Sequence, residues 1–438
     1  MGREDIDGIS RRSFIKSSAA FGAGLALAQN RLFAGGSEKI KVGLVGCGNR
    51  GTGAVMDIVA ADETVEIVAL GDLFEDKVEK AYIAFTKGQN FPEARLWAQK
   101  DLGEAFKVTK DKCFSGFDAY KKVIASDVDV VLLVTPPHFR PMHLKAAIEA
   151  GKHVFVEKPV AVDPVGVRSF IETSKAAEEK GLSILAGTQK RHQAPNMEVM
   201  KRIHDGAIGQ IVGGQCYFNT GGLWVYDRKP EWSDMETQCR NWLYYDWLSG
   251  DHIVEQHIHN IDAMNWALQA VPVQCVGLGG RQVRTQPEYG NIYDHFAVEF
   301  EYPGGVRVMS MCRQWPRCGG RVSERIVGTK GVAYMDRGNG IIEGEKPYKY
   351  EGETPNPQVQ EHKDMIAGIR AGKPVNDGAR IAESTLTAVM GRMSAYTGRA
   401  MKWDWVMQKS VLDLSPSAYE FGDLAVRDVP IPGKTKLI

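Results

Sequence analysis

Residues 39–72 read KIKVGLVGCGNRGTGAVMDIVAADETVEIVALGD, and along them an apolar run, a glycine turn, a helical stretch, a second apolar run and a terminal acid fall in register. Val42, Leu44 and Val45 supply the first run, and Gly46-Cys47-Gly48-Asn49-Arg50-Gly51 follows at once in the pattern G-x-G-x-x-G. In such a turn the first glycine allows the tight bend, the second lets backbone approach a pyrophosphate, and the third lets the helix pack close to the sheet. The helix N-terminus then faces the anion. Val65 to Leu70 ends on Gly71-Asp72, which puts an acid about twenty residues beyond the turn, where the ribose hydroxyls of a dinucleotide lie. The stretch therefore predicts one half of a Rossmann sheet. Gly46, Gly48, Asn49, Arg50, Gly51 and Asp72 are its cofactor-binding residues, and the acid favours NAD over NADP.

Working outward, 438 residues with 43% hydrophobic content suggest two or three domains with sizeable cores. The 54 basic residues balance 54 acidic ones, so no field of one sign recruits nucleic acid or an anionic membrane, and small-molecule partners are expected. Seven cysteines without a C-x-x-C pair exclude a complete disulfide framework. Cys312 and Cys318 stand near enough in sequence to pair, but unpaired core thiols are the plainer expectation. At the N-terminus, Ser10-Arg11-Arg12-Ser13-Phe14-Ile15-Lys16 precedes a run from Ala19 to Ala28 that is too short and too rich in glycine and alanine to span a membrane. It reads as a twin-arginine export signal, with a leader over residues 1–36 and a periplasmic destination. No span is expected after cleavage; an uncleaved leader would leave an anchor. Such export carries folded proteins, so a dinucleotide would be loaded in the cytoplasm and would find little free NAD beyond it.

After Asp72 a helical pattern leads into a polar insertion, with a short helix expected over Trp97–Phe106. Val128 to Val134 is an apolar run, interrupted only by Asp129, that suits a parallel strand buried on both faces. It ends in Thr135-Pro136-Pro137-His138, a turn expected to border the nicotinamide half of the cofactor through Thr135, Pro136 and His138. His153 to Val156 forms the next strand and closes on Glu157-Lys158-Pro159. The glycine turn, the Thr-Pro-Pro-His turn and the strand ending in E-K-P together resemble the Gfo/Idh/MocA family of glucose–fructose oxidoreductase and inositol dehydrogenase, from about Ile40 to Tyr396. The resemblance implies that Lys158 is a catalytic-site lysine, with Glu157 beside it near the cofactor. It also implies that Gln189-Lys190-Arg191 borders the substrate, with Arg191 the candidate contact. Independently, a lysine at the carboxyl end of a buried strand is poorly placed for a surface role, and its cation suits a hydroxyl losing a proton.

A second constellation runs Gly250-Asp251-His252-Ile253-Val254-Glu255-Gln256-His257-Ile258-His259. On a continuous helix Glu255 and His259 share one face, whereas His257 falls among apolar residues on the other. The resemblance implies that His259 is the general base and that Glu255, where the family usually has aspartate, orients it or binds substrate. His257 is either a satisfied core histidine or a substrate contact. An extended chain there would let His257 and His259 pair, but no third ligand is evident and no metal is expected.

The expected architecture is α/β: a Rossmann doubly wound parallel sheet over 37–160, then an α+β substrate and oligomerisation domain over 161–400 with an open, mainly antiparallel sheet, then a tail over 401–438. Trp224, Tyr226, Trp232, Trp242, Tyr244, Tyr245 and Trp247 crowd the second domain as core, lid or sugar-stacking surface. The reading as a whole is an exported, homo-oligomeric NAD-dependent oxidoreductase that acts on a hydroxyl of a sugar or glycoside and retains its cofactor. A family 109-like glycosidase that oxidises and eliminates, and a non-catalytic sugar-binding protein, are the rival readings.

Overall fold

The computed structural model describes residues 39–91, 100–336 and 338–438. The leader with Arg11-Arg12, and Trp97 of the expected short helix, lie outside the described residues. Of its described residues, 100–106, only Gly103–Ala105 coils, as a single 3-10 turn.

Six strands form the first sheet: β1 (Ile40–Val45), β2 (Val65–Asp72), β3 (Cys113–Ser115), β4 (Val130–Leu133), β5 (His153–Glu157) and β6 (Ile184–Gly187), in the spatial order β3-β2-β1-β4-β5-β6. All pairings are parallel. β4 is buried along its whole length, as a strand covered by helices on both faces must be. The chain order places the carboxyl ends of β1, β2, β4 and β5 along one edge, around the point where strand order reverses.

The expected boundary at residue 160 is too early. The helix Pro164–Glu179, capped by the Asp163 carboxylate on the Gly166 amide, crosses over and returns as β6, whose Ile184 pairs with Val154 of β5. The apolar run of β6 is buried at every position, so it belongs inside the first sheet, and the first domain closes after Gly187.

The second sheet has nine strands: β7 (Ile211–Thr220), β8 (Gln274–Gly280), β9 (His295–Glu301), β10 (Arg307–Gln314), β11 (Arg321–Gly328), β12 (Gly331–Asp336), β13 (Asn339–Gly344), β14 (Tyr348–Lys349) and β15 (Met401–Lys402). Their order is β14-β13-β12-β11-β7-β10-β9-β8-β15. Only β7 and β10 pair in parallel. Alternation along β10 buries Val308, Ser310 and Cys312 and exposes Met309 and Met311. The buried face packs on the helices Ile258–Leu268 and Gly378–Thr397; the other face stays open, with Leu278 74% exposed.

The tail is a strap across both domains. Leu414 donates its amide to Asp163, Tyr419 and Phe421 pack on Phe117, and Leu424 donates to Asp234. All seven cysteines are unpaired, with Cys318 alone exposed. No helix among the described residues is long and apolar enough to cross a membrane.

Candidate active site

The carboxyl ends of the first sheet open onto a groove of about 400 Å³ that the second domain closes from the far side. Its near wall is the glycine turn. Gly46 adopts φ +104°, and a Cβ on Gly51 would stand 1.7 Å from the Gly46 carbonyl oxygen, so neither position accepts a side chain. Gly48 differs: a Cβ there meets no protein atom within 4 Å and points into the open groove. The fold itself does not require that glycine, whereas close approach of a ligand to the backbone would. The helix Asn49–Ala61 begins here with its first amides facing the groove.

At the end of β2, Asp72 accepts the amides of Cys47 at 2.7 Å and Phe74 at 2.9 Å, which ties the acid to the glycine turn. Burial lifts its carboxyl above the usual range. Asp72 lines an adjoining apolar slot with Phe74, Phe117 and Tyr120. The turn, the open Gly48 position and this acid fit a dinucleotide.

Arg140, which the sequence reading did not single out, holds the next two turns together. Its Nε donates to the Thr135 carbonyl at 2.8 Å and its Nη1 to that of Pro159. Thr135 and Pro136 line the groove as expected. His138 does not: the turn Pro137–Phe139 swings its ring into an aromatic cluster against Trp247, where Nε2 meets the Tyr419 hydroxyl at 2.8 Å. Burial pushes the ring down to about 4, so it is a neutral packing residue.

Glu157, Lys158, Glu255 and His259 come together in the groove. Lys158 Nζ donates to the Glu255 carbonyl at 2.7 Å and sits 3.2 Å from its Oε1. The other oxygen of Glu255 is buried without a hydrogen-bond partner. The Nδ1 of His259 is likewise buried and unpartnered. Burial, then the nearby cations of Lys158 and Lys190, press this imidazole well below its ordinary value, so it stays neutral.

The backbone departs from one continuous helix here. His252–Glu255 is a single turn, and the helix resumes at Ile258 after a break at Gln256. The break turns Gln256 into the groove beside Glu255 and His259 and sends His257 to the core. There His257 is 0% exposed, with Nε2 at 2.7 Å from the Ser310 hydroxyl and the ring pushed down to about 3 by burial. It is a core histidine and no substrate contact.

Arg191 is also withdrawn. It forms a two-pronged pair with Asp262, at 2.8 and 3.0 Å, and lies over Trp266, while its neighbour Gln189 lines the groove. Arg50 lines the groove too, but its guanidinium is held by Asp57 at 2.7 Å, Glu157 at 2.5 Å and Glu361 at 3.5 Å. Burial would raise Glu157, but Arg50, Lys158 and Arg140 outweigh it and hold the carboxyl down. Glu361, with Gln358, enters from a helix some two hundred residues beyond Lys158, and no local signal marks it.

Leu223, Trp224, Tyr226 and Trp242 form the far wall. Trp242 opens a 3-10 turn, whereas the segment carrying Leu223, Trp224 and Tyr226 has no regular structure, yet it is pinned. Asn241 brackets the amide and carbonyl of Tyr226 at 2.9 Å each, and the Tyr244 hydroxyl holds the Trp224 carbonyl at 2.7 Å. No group of three metal-binding side chains occurs among the described residues.

Comparison with known proteins places this geometry in context. The Gfo/Idh/MocA oxidoreductase family with an NAD-binding Rossmann fold matches residues 40–188, and the Gfo/Idh/MocA C-terminal domain matches residues 197–334. A 2,7-anhydro-N-acetylneuraminate hydratase of Escherichia coli (strain K12) is 27% identical over 178 residues, 41% of this chain and 44% of the relative. A glycosyl hydrolase family 109 protein of Solibacter usitatus is 29% identical over 252 residues, 55% of this chain and 53% of the relative. The chain thus spans about half the length of these curated relatives. Among solved structures, an aldose-aldose oxidoreductase from Caulobacter crescentus superposes with a TM-score of 0.62 at 20% identity, over 83% of this chain and 100% of that one. A myo-inositol 2-dehydrogenase from Lactobacillus plantarum gives 0.62 at 18% identity, over 83% and 99%. At such identity these two establish a shared fold.

Proposed function

Since the chain belongs to the Gfo/Idh/MocA oxidoreductase family, we propose that it is an NAD-dependent oxidoreductase that acts on a hydroxyl of a sugar or glycoside and keeps its cofactor between turnovers. The observation that carries this reading is the unpartnered, neutral His259 beside the Lys158–Glu255 pair in a groove floored by the glycine turn.

Gly46, Gly48, Asn49 and Gly51 would hold the pyrophosphate and Asp72 the ribose; a bound nicotinamide supplies the hydride acceptor. Lys158 holds the substrate oxygen and offers its cation to the negative charge that grows as the proton leaves. His259 takes that proton, and its depressed basicity keeps it in the accepting form at neutral pH. Glu255 fixes the direction of the Lys158 ammonium, and its second oxygen is left for a substrate hydroxyl. Trp224, Tyr226 and Trp242 offer faces to the apolar side of a sugar ring.

Four features support NAD and its retention. Asp72 repels a 2′-phosphate, and Arg50 is already committed to three carboxylates. At the ribose end of the slot, Arg240 reaches across from the second domain to pair with Asp76 at 3.1 Å and cover Phe74. The tail closes over the same rings through Phe421. Retention suits the twin-arginine leader at Arg11-Arg12, because an exported enzyme has no pool of NAD to draw on. Either one sugar reduces the cofactor and another reoxidises it, or one substrate is oxidised and reduced again in a single cycle. The open face of the second sheet, with Val276, Leu278, Met309 and Met311 exposed, is the surface through which we expect the chain to form a homo-oligomer.

The likeness to family 109 proteins favours one second reading, in which oxidation is followed by elimination and a glycosidic bond breaks. One experiment tests both. Protein purified from the exported fraction should carry NAD at near one per chain and turn over a sugar panel with none added. Release of the aglycone from aryl glycosides would favour the second reading. An empty protein that needs added cofactor, or one that binds NADP as tightly as NAD, overturns the proposal.

A further inference from the structure

A second cavity, of about 500 Å³, lies between the helix Gly378–Thr397 and the C-terminal tail and shares no lining residue with the groove. Arg392 stands in its wall at 1% exposure. The guanidinium Nη1 donates to the Gly250 carbonyl at 3.0 Å, and its Nε is buried with no hydrogen-bond partner. Its other close neighbour is the ring of Tyr396, and it forms no ion pair with any described carboxylate. Asp163, the acid that feels its charge, already accepts the amides of Gly166 and Leu414.

A guanidinium is charged at every physiological pH, and an uncompensated buried charge is costly. The remaining polar lining does not neutralise it. Asp246 pairs with Arg427 at 3.7 Å, and Asp428, Lys434 and Lys436 also line the cavity, so basic side chains outnumber acidic ones. The rest of the lining is mostly aliphatic, from the tail and the helix. A volume of this size suits a small metabolite rather than a bare inorganic ion.

We propose that this cavity binds a small organic anion, a carboxylate or phosphate monoester on a compact body, with Arg392 as its counter-charge. Titration calorimetry and thermal unfolding of the full chain, with malate, glycerol 3-phosphate and inorganic phosphate as probes, test it. We expect malate or glycerol 3-phosphate to bind with a Kd of about 1 mM or tighter and to raise the melting temperature. Arg392→Met should remove that increment while NAD content is unchanged. Should that variant not fold, Lys434→Glu combined with Lys436→Glu changes two exposed positions and should weaken binding about tenfold. The proposal fails if neither organic probe binds, if binding survives both sets of substitutions, or if inorganic phosphate binds as tightly as the organic anions.

Discussion

The first-domain wall of the groove is built on backbone turns, Gly48–Gly51 with the amides that open the helix at Asn49 and the Thr135-Pro136 turn, with Glu157 and Lys158 standing at its edge. Along the second-domain wall it meets side chains: Glu255, Gln256 and His259 on a broken helix, and the rings of Trp224 and Tyr226 on a pinned coil. The first wall is specified by where side chains are forbidden, so single residues decide it and little substitution is tolerated. The second is specified by what is present and by partners far away in sequence, so its shape survives substitutions that destroy its chemistry.

The largest expected effect tests the first wall. Gly51→Val places a Cβ 1.7 Å from the Gly46 carbonyl oxygen, so the turn must open. Dinucleotide affinity should fall at least about a thousandfold, roughly 4 kcal/mol. Gly48→Ala is the sharper control. Its Cβ meets no protein atom, so unfolding free energy should change by no more than about 0.5 kcal/mol, while dinucleotide binding weakens clearly. Full affinity in Gly48→Ala, measured by calorimetry, would mean that no ligand backs onto this turn.

Where the walls meet, Lys158 at the end of β5 pairs with Glu255 across the groove, and Lys158→Met should lower turnover by roughly two to four orders of magnitude, the range of a positioned acid–base group, and leave NAD bound. Unchanged turnover would remove Lys158 from the chemistry.

The same contrast explains what could be read without coordinates. The glycine turn, Asp72 and the parallel sheet are local consequences of short spacing, and the structure contains them where the sequence placed them. The α/β architecture and the open second sheet were legible for the same reason, because period-two alternation survives along β9 and β10. Expectations that assumed a regular continuation went astray. Helical phase put His257 opposite Glu255 and His259, which is where it lies, but the helix expected to run straight through is broken at Gln256. His138 followed a strand end, but the diproline turn rotated it into the core. Arg191 offered a charge that Asp262, far along the chain, had already taken. Glu361 and the tail residues Tyr419 and Phe421 reach their places only through tertiary packing.

The smallest expected effect separates the walls by pH. Behind the first wall, burial holds His138 at about 4 and His143 at about 3; on the second, His259 is held low as well. Each folded value lies below the unfolded value of about 6.5, so the unfolded chain binds more protons as pH falls. Stability should therefore be full above about pH 6.5 and decline from there down through the folded values, by up to about 1.4 kcal/mol per pH unit for each such histidine. His138→Asn removes one of these groups and should flatten the decline by that amount between pH 6.5 and 4. With His259 as the proposed base, the acid limb of turnover should follow that residue, by contrast, and should not move. Urea unfolding at pH 7, 6 and 5 on both proteins measures the first, and a pH–rate profile measures the second. Parallel stability curves would mean that the His138 ring is already protonated in the folded state, and a shifted rate profile would mean that the aromatic cluster behind the first wall reaches into the chemistry of the second.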